Sequence, residues 1–96
     1  MDAGEFMRGH ADKASSGRIP EVLGDLTPEA MAQLPGLMAR GPNPPTGNKV
    51  VAVGREGDDH VFDVTYTGDG GASITMREYV REIDGAWKIA RLEKPA

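Results

Sequence analysis

Asp84-Gly85, set between two runs of strand-forming residues, constrains this chain more than any other feature. The dipeptide favours a two-residue type I′ hairpin, whose twist matches that of paired strands. Residues 72–83 run up to it, and a strand bearing Trp87 and Ile89 leaves it. A second turn, Thr67-Gly68-Asp69-Gly70-Gly71, separates this pair from the run around Tyr66, so residues 61–94 read as a β-meander. In the run ending near Tyr66, alternation puts His60, Phe62, Val64 and Tyr66 on the expected core side, and Val61, Asp63, Thr65 and Thr67 outside. In the next strand Ile74 and Met76 share a side, but Tyr79 and Ile83 have the opposite parity. A β-bulge near Arg77-Glu78 is expected to return them to the core and curve the sheet. In the last strand Trp87, Ile89 and Arg91 share one face and Lys88, Ala90 and Leu92 the other.

Upstream, residues 49–53 are dense in β-branched side chains, as suits a strand buried on both faces or covered by a partner. A turn over residues 54–58 joins it to the meander. Before the sheet the periodicity is helical. Phe6, Met7, His10, Ala11 and Ala14 line one face of a helix over residues 3–15, ended by Ser15-Ser16-Gly17. Ile19-Pro20-Glu21-Val22-Leu23-Gly24 allows one or two turns, and Thr27-Pro28-Glu29 is a helix start with an N-cap hydroxyl and proline in the first turn. Met31, Leu34 and Met38 continue that helix, with a stop or kink expected near Leu34 because Pro35-Gly36 follows. Gly41-Pro42-Asn43-Pro44-Pro45-Thr46-Gly47 is then an irregular crossover. The expectation is one α+β domain over residues 1–96, helices in about 3–40 packed on one face of a four-stranded antiparallel sheet in about 48–94.

Composition narrows the partners. A 96-residue chain with 5% aromatics has an aliphatic core of modest size, which favours an oligomer. The formal charge of −4 is spread without a basic patch, which argues against nucleic acid and anionic membranes. Cysteine is absent, removing thiol catalysis, disulfides and thiolate metal sites. The two histidines are far apart and His10, the one on a helix, has no acid at i,i+4 spacing, so no metal site is expected, and no glycine-rich loop links a strand to a helix as phosphate binding requires. No cofactor is assigned. With no apolar run of about 18 residues and no basic, apolar leader, a cytoplasmic location is the default.

The order of an N-terminal helix, a short helix closing in Gly24-Asp25-Leu26, a capped helix, and a meander ending Glu82-Ile83-Asp84-Gly85-Ala86-Trp87-Lys88-Ile89 resembles the ketosteroid isomerase-like family. This is the nuclear transport factor 2-like or SnoaL-like superfamily, and the likeness spans nearly the whole chain. It implies a cystatin-like cone: a bent sheet wrapped around the first helix, a pocket at the open end, and a homodimer through the outer sheet face. Its members include isomerases, cyclases, dehydratases and non-catalytic binding modules, so the fold leaves function open.

Five residues are candidate ligand contacts: His10, Phe62, Tyr66, Tyr79 and Trp87. His10 lies on an apolar helix face, where an imidazole can act as a base; a histidine at the core margin bonded to a carbonyl is the stronger reading. Tyr66 and Tyr79, expected inside, can donate to a ligand oxygen or pack structurally, with packing favoured. The family's isomerases carry a tyrosine on the first helix, and this helix has none. Asp84 is explained by its turn, Asp63 by outward parity, His60 by solvent, and Glu78 and Glu82 by pairing with arginines across strands. No catalytic residue is assigned. The leading expectation is a non-catalytic small-molecule-binding or interaction module with a small, mostly apolar pocket. The alternative is an isomerase, cyclase or dehydratase acting on a small apolar carbonyl compound, with His10 as base and a tyrosine as oxyanion donor. Val50, Ala52, Val61, Thr65, Thr75 and Arg77 are expected to form the outer-face dimer surface.

Overall fold

The computed structural model describes residues 1–95. The chain is α+β as expected: three helices pack on the inner face of a four-stranded antiparallel meander. Helix α1 (Ala3–Ser15) opens with a capping box, the Asp2 carboxylate accepting from the Glu5 N–H and the Glu5 carboxylate from the Asp2 N–H. Ala3, Met7, His10 and Ala11 form its buried stripe. Helix α2 (Ile19–Gly24) is short, as its proline and glycine dictate.

Helix α3 (Pro28–Met38) begins where the sequence places it, and Thr27 does double duty there. Its hydroxyl accepts the Ala30 N–H at 3.2 Å and donates to the Ala90 carbonyl at 2.9 Å, so the cap also fastens α3 to the sheet. The helix does not stop near Leu34 but runs through Pro35. Leu34, Leu37 and Met38 pack against the core, and their burial outweighs the one hydrogen bond the proline removes.

The strands are β1 (Gly47–Glu56), β2 (Asp59–Thr67), β3 (Ser73–Ile83) and β4 (Ala86–Glu93), in that spatial order. The first turn is only Gly57-Asp58, because Gly54 is absorbed into β1 at a register shift between Ala52 and Gly54. Asp84 and Gly85 have φ of 53° and 82°, the positive pair that a type I′ turn requires.

Register settles which side chains face inward. Tyr66 sits opposite Ile74, Val64 opposite Met76 and Phe62 opposite Glu78, so β3 continues its alternation without the bulge expected at Arg77-Glu78. The irregularity is in β4 instead: Tyr79 pairs with Arg91 and Val80 with Ile89, leaving Ala90 as the extra residue. Two expectations reverse in consequence. Tyr79 faces outward, and Glu78 faces inward in a row with Ile74, Met76 and Val80. Val50 and Ala52, opposite Val64 and Phe62, also face inward rather than contributing to the outer face.

That outer face carries ion pairs in place of an apolar surface. Arg77 clasps Asp63 through two bonds of 2.8 and 3.0 Å, and Arg81 clasps Asp59 at 2.6 and 3.1 Å. The Arg91 guanidinium lies 3.8 Å from the centre of the Tyr79 ring, whose hydroxyl donates to Glu93 at 2.9 Å.

The sheet's two edges differ as well. Along β4, the Ile89 N–H donates to the Asp25 carbonyl, the Thr27 N–H donates back to the Ile89 carbonyl, and the Leu92 N–H reaches Gln33. Along β1 no such segment lies among the described residues, and positions 51–56 are all exposed.

Candidate ligand pocket

Helices, crossover and sheet enclose a cavity of about 270 Å³. Its floor is β-sheet, with Tyr66, Ile74, Met76 and Glu78; α1 contributes His10, and α2 contributes Ile19, Val22 and Leu23. Ile19 and Leu23 are 46% and 39% exposed, which marks the α2 side as the mouth. The proline-rich crossover forms the far wall and is seated by two glycines. A β-carbon on Gly41 would lie 2.5 Å from Ile74, and one on Gly68 would lie 2.5 Å from Pro42, so each close approach depends on the missing side chain. The wall is mostly aliphatic and, apart from Asn43 on the crossover, its polar side chains gather at one place.

That place is Glu78. The side chain is 1% exposed; Tyr66 donates to its Oε2 at 3.3 Å, and His10 Nε2 stands 3.7 Å from its Oε1, too far for a hydrogen bond. Glu78 Oε1 consequently has no hydrogen-bond partner. On the other side of the imidazole, His10 Nδ1 meets Asp25 Oδ2 at 2.9 Å, and Lys13 Nζ meets the same oxygen at 2.6 Å. A line of titratable groups thus runs from the partly exposed Lys13 through Asp25 and His10 to Glu78 and Tyr66.

Local structure accounts for the alignment. His10 and Lys13 are one helical turn apart on α1, and Asp25 directly follows α2, where the chain turns to pair with β4. Burial pushes the Glu78 carboxyl above its ordinary value, with His10 and the Tyr66 hydroxyl opposing in part. Burial, then the negative charge of Glu78, drives the Tyr66 phenol well above its ordinary value, so it remains a donor. Burial also raises Asp25, but the hydrogen bonds from His10 and Lys13 outweigh it and hold this carboxyl below the usual range. Two carboxylates flanking one imidazole are therefore pushed apart in acidity.

Of the five candidate ligand contacts, the structure brings His10 and Tyr66 to the cavity. Phe62 is buried in the core but is not part of the cavity wall. Trp87 lies away from the cavity, its ring edge-on to His60 at 5.5 Å and its indole N–H donating to the Met1 carbonyl. Tyr79 is on the opposite face of the sheet. His10 bonds a carboxylate rather than a carbonyl. Glu78 and Asp25 were missed as site residues. Strict alternation from Met76 would have found Glu78, whereas Asp25 carries no local signal, because its contact with α1 is tertiary.

Among the described residues, no group of three or more His, Asp and Glu side chains is arranged to hold a metal ion. No described helix is long and apolar enough to cross a membrane. Comparison with family models, curated proteins and solved structures finds no match.

Proposed function

We propose that this chain is a small-molecule-binding module of the ketosteroid isomerase-like kind. It takes a compact, mostly apolar molecule with one hydroxyl group held at Glu78 and His10. The observation that carries this is Glu78 Oε1, a buried acceptor left unpaired in the wall of an apolar cavity. Leaving such an atom unsatisfied costs about 1–3 kcal/mol, and a hydroxyl from a ligand would recover it. The cavity lies just below the usual range of about 300–1,000 Å³, which sets the occupant's small size. Native mass spectrometry of freshly purified protein, followed by ligand-observed NMR with a panel of small cyclic alcohols and ketones, tests the reading. Extra mass or saturation transfer that disappears in a cavity-filling Met76→Trp variant supports it. A clean apo mass together with silence across the panel removes it.

A second reading is proton transfer on a small carbonyl compound, favoured by the line from Lys13 through Asp25 and His10 to Glu78. Here His10 or Glu78 removes a proton next to the carbonyl, a donor at the same cluster steadies the enolate oxygen, and the proton returns at another carbon. Deuterium uptake by a cyclic ketone in heavy water, lost in Glu78→Gln, is its signature. Uptake no faster than in buffer leaves only the binding module. For either reading, the proposed partner is a second copy of the chain.

A further inference from the structure

The strand β1 is built for burial and is left bare. Lys49-Val50-Val51-Ala52-Val53 has the β-branched density of a covered strand, yet Val51 and Val53 are 47% and 48% exposed and positions 51–56 are exposed throughout. The opposite edge of the sheet is sealed by residues 25–27 and Gln33, whereas ten residues of β1 present a backbone edge that no described segment accompanies. An open edge of this length is a template for another strand, and the bulge at Val53 with the charges of Lys49, Arg55 and Glu56 restricts which strand can pair with it.

We propose that a second copy of this chain docks on the β1 edge, the two β1 strands pairing antiparallel about a two-fold axis with Lys49 opposite Glu56. This goes beyond the pocket reading and does not depend on it. Charge and register select the occupant. Lys49 lies on the outer face, level with Thr65, and Glu56 on the same face, level with Asp59, where its Oε1 accepts from Arg91 at 3.1 Å and leaves Oε2 for the incoming lysine. Because the bulge adds a residue between Ala52 and Gly54, self-pairing in this register keeps outer residues opposite outer ones. It sets Val51 against Gly54 and the inward Val50 against the inward Arg55. The two-fold axis then passes between Ala52 and Val53, so the exposed valines of both copies gather at the centre. Each Lys49 meets a Glu56, twice by symmetry, and the dimer becomes one eight-stranded sheet.

The test is a charge exchange on the full chain, read by light scattering on size exclusion and by native mass spectrometry. The wild type is expected to be a dimer. Lys49→Glu places acid opposite acid at two symmetric sites and should raise the dimer dissociation constant about tenfold or more. Lys49→Glu combined with Glu56→Lys should restore it, Arg91→Gln alone is expected to leave the dimer intact and so controls for the Arg91–Glu56 pair that the exchange breaks, and a circular-dichroism melt of each variant separates lost dimer from lost fold. A wild type that stays monomeric at NMR concentrations overturns the proposal. So does a dimer that ignores Lys49→Glu but falls apart on Thr65→Glu, which would place the interface on the outer face. Pairing of β1 with an unrelated extended peptide, the chain itself remaining monomeric, overturns it too.

Discussion

The two faces of one sheet carry nearly matched sets of polar groups and treat them in opposite ways. Outside, Tyr79 donates to Glu93 and Asp63 is held by both arms of Arg77; inside, Tyr66 donates to Glu78, but nothing reaches the second carboxylate oxygen. The difference shows in acidity as well. The Arg77 hydrogen bonds lead in holding Asp63 below the ordinary carboxylate range, whereas burial leads in pushing Glu78 above it. A polar network in which every group is paired is sufficiently explained by folding. One that keeps a buried acceptor unpaired beside a cavity costs stability, and that cost is what supports the proposed binding role.

The largest test of this contrast is His10→Ala. It removes the group between Asp25 and Glu78, enlarges the cavity that His10 lines, and should cost about 3 kcal/mol in urea unfolding. The corresponding change outside, Asp63→Ala, breaks a partly solvated pair and should stay within about 1 kcal/mol. Equal costs would mean that the inner cluster is no more buried in effect than the outer one. Next in size is the tyrosine pair. Tyr66→Phe strips Glu78 of its one donor and should destabilise by about 1–3 kcal/mol, while Tyr79→Phe, whose carboxylate partner keeps Arg91 and solvent, should cost about 0.5 kcal/mol. The reverse ranking in thermal melts would show that Glu78 draws its support elsewhere.

How much of this was legible follows from which forces are local. The start of α1 at Ala3, the Thr27-Pro28 start and the Asp84-Gly85 turn are decided within four residues, and each lies where the sequence puts it. The bulge was misplaced because parity can be restored on either strand of a pair. Placing it in β3 brought the hydrophobic ring of Tyr79 inward, while the fold preferred to place it at Ala90 and cover that ring with Arg91. A single such choice exchanged Tyr79 for Glu78 and so hid the centre of the pocket. Likewise, Pro35 breaks a helix on local grounds, but Leu37 and Met38 find a core only tertiary structure supplies. His10 was legible as a candidate because it interrupts an apolar stripe; its two acidic neighbours come from an interhelical turn and a distant strand.

The smallest effect, and the one that separates the faces most cleanly, is the sign of an isosteric amide substitution. In Glu78→Gln a neutral amide replaces a buried carboxyl while its oxygen still accepts from Tyr66, so stability should hold or rise by about 1 kcal/mol. Asp63→Asn loses half of a charged clasp and should fall by up to about 1 kcal/mol. Their pH profiles should differ in the same way. Glu78, raised above its ordinary 4.5, binds its proton more readily when folded, so its contribution is fully present below about pH 4.5 and is lost as pH rises through the folded value. Asp63 and Asp25, held below 3.8, contribute stability that is present above that pH and is lost as pH falls through their folded values. The wild-type stability curve should therefore climb to about pH 4 and decline above about 4.5. Glu78→Gln should flatten the decline and leave the climb, and Asp63→Asn should reduce the climb and leave the decline. A decline that survives Glu78→Gln would show that the buried carboxyl on the inner face ionises as freely as those outside, and the contrast between the two faces would be one of position alone.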